Sequence, residues 1–388
     1  MSVRVYLLFL VFQLAASVSV SQRCGFVTPE REVTALPFSG PLSDEIVIPV
    51  VVHIVWQEPE ENIPDERVWS QIEALNEAFG AQHIPDWMAQ SVFSPYITDT
   101  KIRFCLATRD PQGLPTTGIE RRHTNSNIAL GGTTELHYTS MGGLDAWDPQ
   151  RYLNIWVTRF AGGITGTASF PEQGPAAEDG VEVHYAFFGK DATVPYDQGI
   201  TTVHEVGHYL GLPHPWGPDA PTCNQDDGID DTPLSELTYQ GECPTWLVFS
   251  CGTPDMSMNF MYYTNDACMA LFTPQQRDLM WATLNGPRST LKDSDGCVFT
   301  PVSTDTPNEG IGVRLYPNPN DGVLSVQWDY PDQMTLEWYD LHGRCVKRLS
   351  ANGTTARIHH RLPSGTYLFQ LKDSQGKVID RRLCSVVR

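Results

Sequence analysis

The sequence predicts an α+β domain, with a twisted mixed sheet and one helix that carries two histidines, followed by a small all-β sandwich. Three observations support this prediction. Apolar β-branched runs alternate with helical patterns across residues 45–300. The run HEVGHYLGLPH at residues 204–214 places histidines at helical spacing. From residue 312 onward, short strand-like runs alternate with turns, as in a sandwich.

The elements of the first domain follow from residue periodicity. EIVIPVVVHIVW (45–56) predicts a buried strand, and IPDERVWSQIEALNEAF predicts a helix with Asp65 available as its cap. Further strands are predicted at TKIRFCLATRD, RYLNIWVTRF and GVEVHYAFFG. YDQGITTVHEVGHYLGL predicts a second helix, and TPQQRDLMWATL a third, which begins with a capping box of Thr273 and Gln276. The long Gly-, Pro-, Asp- and Cys-rich segment between these two helices predicts a loop that disulfides stiffen.

Composition and the N-terminus indicate an exported protein. The 388-residue chain has a formal net charge of −20, which disfavours nucleic acid and anionic membranes as partners, because a phosphate surface attracts basic proteins. Arg4 precedes an apolar run and then small residues, so residues 1–21 are predicted to be a secretory signal peptide. A membrane anchor is the alternative, but the run is shorter than the roughly 20 residues that span a bilayer. We therefore expect no transmembrane segment in the mature chain.

The spacing of the histidines fits a metal site. His204 and His208 are four residues apart, so they face the same side of a helix and can both reach one zinc ion. Gly211 can adopt positive φ, end the helix and turn His214 toward the same ion. Glu205 lies beside the pair, near enough to take a proton from water at the metal. Three neutral nitrogens with one open position are what a catalytic zinc site requires.

The run HEVGHYLGLPH matches the metzincin pattern H-E-x-x-H-x-x-G-x-x-H, and the chain resembles the pappalysin (cytophagalysin) family of that clan. The resemblance covers nearly all of residues 45–300, including IPVVVHIVW, IRFCLATRDPQGLPTTGI, YLNIWV, DDGIDDTP and NFMYYTNDACMALFTPQQ. It implies a metzincin-like zinc peptidase that hydrolyses peptide bonds in proteins with Glu205 as base. It also implies that Met261 forms the Met-turn beneath the zinc, and that Tyr263 faces the ion and stabilises the oxyanion.

Two features bear on substrate binding. The stretch ITGTASF (164–170) is predicted to be an edge strand that holds an extended substrate by strand addition. Asp266 is a candidate for the floor of the specificity pocket, where a buried carboxylate favours Arg or Lys after the scissile bond. The resemblance suggests this preference in some relatives. A surface or calcium-binding carboxylate is the alternative for Asp266.

The acidic run DDGIDDTP predicts a calcium site. Its carboxylates are hard oxygen ligands, and related pappalysins hold calcium in this loop. Asp227 and Asp231 match the family pattern D-x-[VI]-x-D-T-P, whereas a solvated acidic turn is the alternative reading. Family spacing also suggests two disulfides, although spacing alone does not establish connectivity: Cys223–Cys251 and Cys243–Cys268.

The segment QRCGF near the predicted mature N-terminus offers a latch. In related metzincin zymogens the thiolate of an R-C-G motif occupies the fourth zinc position. The chain has nine cysteines, and this odd count leaves Cys24 available for the role. A disulfide from Cys24 to Cys105 or Cys297 is the alternative. Residues 22–44 are accordingly predicted to be a pro-segment, and residues 45–300 the metalloprotease domain.

The C-terminal part has its own resemblance. TPVSTDTPNEGIG predicts a linker, which we place at residues 301–311. The stretches VRLYPNPNDGVLSV, YDLHGRCV and LPSGTYLFQL resemble the sorting domain of proteins exported by the type IX secretion system of Bacteroidetes. The resemblance covers residues 312–388 and implies that machinery as partner and a secreted or outer-surface location. A generic β module is the alternative. Cys345 and Cys384 are candidates for a disulfide with each other.

Three functions are compatible with a zinc-binding histidine run. The first is a secreted zinc endopeptidase acting on proteins or peptides. The second is a surface adhesin or pseudo-enzyme whose zinc only stabilises the fold. Glu205 and Tyr263 argue against the second, because a structural site needs neither. The third is a zinc amidase or another hydrolase, which does not account for the Met-turn segment.

Overall fold

A computed structural model describes residues 24–25, 45–125, 130–218, 221–244, 247–298, 313–317, 320, 322–329, 333–339, 345–363 and 365–386. The predicted signal peptide and linker lie outside the described residues, and the predicted pro-segment is described only at Cys24 and Gly25. Of the helices in the described ranges, none has the length and apolarity that a bilayer crossing requires.

The first domain is built on one six-stranded sheet. Its strands are β1 (Ile46–Trp56), β2 (Ile102–Leu106), β3 (Ile119–His123), β4 (Leu153–Thr158), β5 (Gly166–Ala168) and β6 (Val181–His184). The order is β2-β1-β4-β6-β5, and β3 also pairs with β1. The pairings are parallel apart from β5 with β6, which is antiparallel. The mixed sheet of the sequence prediction is confirmed, and β5 forms its edge.

β1 is the central strand because it is apolar on both faces. Val50, Val52 and Ile54 are fully buried in the main core, while Val51 and Val55 contact smaller apolar clusters on the opposite face. Its first half pairs with β2 and its second half with β3 along one side, and β4 pairs along the other. A strand enclosed in this way reads as a continuous apolar run, as the sequence shows.

Three α-helices accompany the sheet: α1 (Asp65–Phe79), α2 (Ile200–Tyr209) and α3 (Pro274–Asn285). All ten residues of α2 are buried, so this helix runs through the interior of the domain. α3 begins with the predicted capping box, because the Thr273 side chain accepts from the Gln276 N–H and Gln276 bonds back to the Thr273 backbone.

The predicted cap of α1 is wrong. Asp65 is the first residue of the helix, and Pro64 occupies the cap position without a side-chain hydrogen bond. The Asp65 carboxylate instead accepts from Arg121 Nη2 at 2.6 Å, and Arg121 lies on β3. The predicted helix itself is confirmed, and its apolar residues Val68 and Leu75 pack into the main core.

Three disulfides cross-link the described residues: Cys105–Cys297, Cys223–Cys251 and Cys243–Cys268. The last two are the predicted pairs in the loop between α2 and α3. The first ties β2 to the end of the domain and occupies both cysteines that were alternatives for Cys24. The alternative disulfide of Cys24 is therefore wrong.

The C-terminal part forms two antiparallel sheets, ordered β10-β9-β12-β13 and β11-β8-β7. Their strands are β7 (Arg314–Tyr316), β8 (Val323–Gln327), β9 (Met334–Tyr339), β10 (Cys345–Ala351), β11 (Thr355–His359), β12 (Gly365–Lys372) and β13 (Val378–Val386). Val326 and Ile358 from one sheet share an apolar core with Trp338 and Phe369 from the other. This is the predicted sandwich.

The predicted disulfide between Cys345 and Cys384 is wrong. Cys345 lies on β10 and Cys384 on β13, at opposite edges of the four-stranded sheet, and neither is disulfide bonded. Three strand spacings separate these edges by roughly 14 Å. A disulfide requires Cα atoms within about 7 Å.

Candidate active site

Three histidine side chains converge at one point in the interior. His204 and His208 project from α2, and Gly211, at φ +94°, turns the chain so that His214 returns to them. The Nε2 atom of His208 lies 3.1 Å from that of His204 and 3.0 Å from that of His214. The His204 and His214 Nε2 atoms are 3.3 Å apart. The predicted convergence is present, and all three imidazoles are almost wholly buried.

The hydrogen bonds of Nδ1 in His204 and His208 show which ring nitrogen faces the cluster. His204 Nδ1 lies 2.8 Å from the Phe260 carbonyl oxygen, and His208 Nδ1 lies 2.7 Å from the Leu212 carbonyl oxygen. A carbonyl oxygen only accepts, so each Nδ1 carries the hydrogen and each Nε2 presents a lone pair to the cluster. The backbone therefore selects the tautomer in which Nε2 is a ligand atom.

The charge state of the cluster suits a metal cation. Burial lowers the pKa of His208 to about 3 and holds the pKa of His214 well below its ordinary value, so both rings are neutral at pH 7. Neutral nitrogens that point their lone pairs at one another in a buried space repel unless a cation lies between them. The donor set fits a metal ion, and the residues that would hold it are the three predicted histidines.

Glu205 and Met261 lie on two sides of this cluster. Glu205 follows His204 on α2, and its side chain is fully buried. Met261 packs against α2 from below, since a Cβ atom added at Gly207 would come within 2.5 Å of its sulfur. Met261 therefore lies beside the helical turn that joins His204 to His208, where the Met-turn was predicted.

Tyr263, from the loop between α2 and α3, lies against His204 and His214. Its hydroxyl oxygen lies 3.2 Å from His214 Nε2, and its ring meets the His214 ring edge-on. Trp216 stacks on the His214 ring, with ring centroids 4.4 Å apart and planes 7° from parallel, and also meets the Tyr263 ring edge-on. These rings hold the His214 imidazole in orientation, although His214 lies five residues beyond Tyr209, the last residue of α2.

Cys24 enters the same cluster. One donor atom each from Cys24, His204, His208 and His214 lies within 4.8 Å of every other. The Cys24 sulfur is also 3.5 Å from Glu205 Oε2. The neighbouring Gly25 N–H donates to the Gly166 carbonyl oxygen on β5 at 2.8 Å, so the Cys24–Gly25 pair lies beside the edge strand.

Charged groups of complementary sign lie at the two ends of α2. Asp266 is fully buried, and its Oδ2 accepts from the Gln198 and Ile200 N–H groups at the helix N-terminus, at 2.9 and 3.3 Å. Arg288 donates from Nε to the carbonyl oxygen of Tyr209, the last helical residue, at 2.7 Å. An anion at the N-terminus and a cation at the C-terminus both stabilise a helix dipole.

Arg288 also connects this helix to the edge of the sheet. Its guanidinium forms a bidentate ion pair with Asp179, at 2.6 and 2.8 Å, and donates to the Ser169 carbonyl oxygen at 3.3 Å. Ser169 follows β5 directly, so one buried side chain joins the end of α2 to the end of β5. The sequence patterns do not single out Arg288, because its partners are distant in the chain and no local spacing marks it.

The two side chains predicted to bind calcium, Asp227 and Asp231, form hydrogen bonds with groups of the protein. Asp227 is buried, and its carboxylate accepts from the Thr232 hydroxyl and the Ile229 N–H. Burial holds the Asp227 pKa well above its usual range. The Asp231 carboxylate accepts from the Thr273 hydroxyl at 2.6 Å and the Gln275 N–H at 2.9 Å, at the start of α3. Asp231 therefore joins the loop to the start of α3, whereas Asp227 stabilises the turn of the loop itself.

Comparisons with known proteins show what each part of the chain is similar to. A family model described as pregnancy-associated plasma protein-A matches residues 140–285, and one described as a secretion system C-terminal sorting domain matches residues 314–384. Mature mirolysin of Tannerella forsythia, solved with a cleaved peptide, is 39% identical, with a TM-score of 0.60 over 65% of this chain and 97% of that chain. An extracellular metalloprotease of Trichophyton verrucosum is 29% identical over 280 residues, covering 68% of this chain and 90% of the relative.

Three convergent histidines, two of them on a buried helix, together with these matches, identify a metalloprotease. The chain belongs to the pappalysin family of metalloproteases. Its sorting tail and its extracellular relatives show that it is secreted or displayed at the cell surface through type IX secretion.

Proposed function

We propose that this chain is a zinc-dependent endopeptidase of the metzincin clan that cleaves peptide bonds in proteins. The observation that carries the proposal is the convergence of three buried histidine Nε2 atoms beside the buried Glu205 carboxylate. The packing of Met261 beneath α2 supports the metzincin assignment. Mirolysin, which shares 39% of its residues with the chain, was solved with a cleaved peptide.

Different residues of the chain have different roles in hydrolysis. His204, His208 and His214 would hold the zinc ion, which would supply Lewis acidity toward the scissile carbonyl and the attacking water. Glu205 takes up the proton of the attacking water on a carboxylate oxygen and passes it to the leaving amine. The Tyr263 hydroxyl donates to the carbonyl oxygen as negative charge develops there. β5 offers edge backbone groups to an extended substrate, as it does to Gly25.

Replacing Glu205 tests the assigned base. Glu205→Ala should lower kcat by about 10²–10⁴-fold, because proton transfer is lost while the metal ligands stay in place. The measurement combines cleavage of a diverse peptide mixture, followed by mass spectrometry, with zinc determination by elemental analysis. Glu60→Ala, an exposed glutamate distant from the site, serves as control. Cleavage retained by Glu205→Ala would contradict the mechanism, and a zinc-loaded wild type that cleaves nothing would favour the adhesin alternative.

We also propose that residues 22–44 form a pro-segment that Cys24 latches onto the metal site. Cys24 lies among the histidines and close to Glu205, and Gly25 takes a backbone position along β5. A thiolate is a strong zinc ligand, so a Cys24 sulfur bound to the ion excludes water from the open position. The residues that flank this pair lie outside the described ranges.

Removing the thiol should release activity. The full-length Cys24→Ala variant should cleave a fluorogenic peptide immediately after purification, whereas the wild-type precursor should show a lag while the segment is removed, because alanine provides no ligand for the ion. Cys345→Ser, which alters a cysteine of the sandwich that is not disulfide bonded, should keep the lag. Identical progress curves for Cys24→Ala and wild type would exclude the latch.

We propose further that Asp266 favours Arg or Lys after the scissile bond. Support comes from its complete burial next to the first turn of α2, one turn before His204.

Asp266→Asn keeps the size of the side chain and most of its hydrogen bonding but removes its charge. We expect the variant to lose preference for basic residues by at least about tenfold, since a charge-assisted hydrogen bond contributes about 1.5–3 kcal/mol. Product mapping by mass spectrometry on one peptide library measures this, with exposed Asp293→Asn as control. An unchanged cleavage pattern would rule out the role and leave Asp266 as a helix cap.

Calcium binding at the loop of Asp227 and Asp231 stays a prediction. It is supported by the burial of Asp227, because a divalent cation would offset the cost of its buried charge. Calcium at 100 times its dissociation constant should stabilise the fold by about 2.7 kcal/mol. Thermal unfolding with calcium, with magnesium and with chelator measures this. The prediction fails if calcium leaves Tm unchanged, or if Asp227→Asn responds to it as wild type does.

We propose the domain limits given by the sequence: a signal peptide at 1–21, the pro-segment at 22–44, the protease domain at 45–300, a linker at 301–311 and the sorting domain at 312–388. The family match at 140–285 falls inside the proposed protease domain, and the match at 314–384 falls inside the proposed sorting domain. N-terminal sequencing of the secreted protein would reveal a misplaced cleavage site.

A further inference from the structure

The catalytic carboxylate lies directly against a glycine of the edge strand. Gly166 is the first residue of β5 and pairs with Val183 of β6. A Cβ atom added to Gly166 would lie 2.9 Å from Glu205 Cγ and 3.0 Å from Glu205 Oε1. Ordinary contacts of a Cβ atom with other heavy atoms are about 3.5–4.0 Å. The missing side chain of Gly166 therefore makes the space that the Glu205 side chain fills.

The backbone of Gly166 does not itself require glycine. The residue lies in a regular antiparallel strand and is not among the residues with positive φ. An alanine there would meet the end of one side chain, Glu205, and the carbonyl oxygen of Glu182 at 3.1 Å. A side chain moves more easily than a paired strand, so the Glu205 carboxylate would shift while β5 stays in place.

The same glycine also contacts the Cys24–Gly25 pair. Its carbonyl oxygen accepts from the Gly25 N–H at 2.8 Å. Gly166 thus lies against the Glu205 side chain and also forms a backbone hydrogen bond at the edge of the sheet.

We propose that Gly166 is a positioning residue for Glu205: the absence of a side chain at this point of β5 fixes the carboxylate at its working distance from a substrate bound along the strand. The proposal rests on the proposed function, in which Glu205 transfers the proton. Glycine is thereby required at residue 166 by the position of the Glu205 side chain and not by its own backbone conformation.

Gly166→Ala should separate turnover from binding. We expect kcat to fall about 10–100-fold in the active secreted enzyme, because displacements near 1 Å cost about that much. KM should stay within about threefold and zinc content should be unchanged, because β5 keeps its backbone groups and the histidines are not touched. A crystal structure of the variant should show the Glu205 carboxylate displaced and the β5–β6 pairing intact.

A double-mutant cycle in the metal-free full chain provides a readout independent of activity. Gly166→Ala should lower Tm by about 2–4 °C when Glu205 is present, through overpacking. In the Glu205→Ala background, which lacks Cγ and the carboxylate, the same change should lower Tm by less than about 1 °C. Equal Tm losses in both backgrounds would show that Gly166 acts on the Glu182 carbonyl instead, and would overturn the proposal.

The outcomes of this test differ from those of the functional proposal. If Glu205→Ala keeps cleaving peptides, the assigned base is wrong, whatever Gly166 does. If Glu205→Ala is inactive but Gly166→Ala has wild-type kcat, the base stands and the positioning role is wrong. Loss of kcat together with a Tm difference that depends on Glu205 supports both.

Discussion

Three imidazoles whose Nε2 atoms converge in a buried space are the constraint on which the rest of the structure depends. Polar nitrogens brought together away from water are costly unless a cation completes the arrangement. The backbone maintains it, because the carbonyl oxygens of Phe260 and Leu212 fix the tautomers of His204 and His208. Main-chain groups thus orient the two ligands that α2 supplies.

The helix that carries two of these rings is secured along its whole length. Asp266 holds its first turn and Arg288 its last, and Met261 supports the turn between the histidines. Arg288 also donates to the carbonyl oxygen of Ser169, directly after β5, and the missing side chain of Gly166 leaves room for Glu205 against that strand. Metal ligands, base and substrate edge therefore belong to one packed unit, in which small displacements of one part move the others.

The disulfide-linked loop supplies the remaining wall. Between α2 and α3 the chain has little regular structure, and Cys223–Cys251 and Cys243–Cys268 hold it. Asp231 anchors its first part to the start of α3 through Thr273. Tyr263 and Met261 come from its last part and reach the histidines from two directions. A loop constrained in this way can place side chains as firmly as a helix does.

The sequence by itself determined the features that depend on neighbours in the chain: the apolar run of β1, the capping box of α3, and the spacing that brings His204, His208 and His214 together after Gly211. It did not predict β3, because the charged residues of that strand lack the apolar pattern of the others. It also did not predict the contacts of Arg288 with the end of α2, or that Cys345 and Cys384 lie at opposite edges of one sheet. Those were decided by tertiary structure, because sheet order and packing bring together residues that are far apart in the chain, and local periodicity carries no record of such distances.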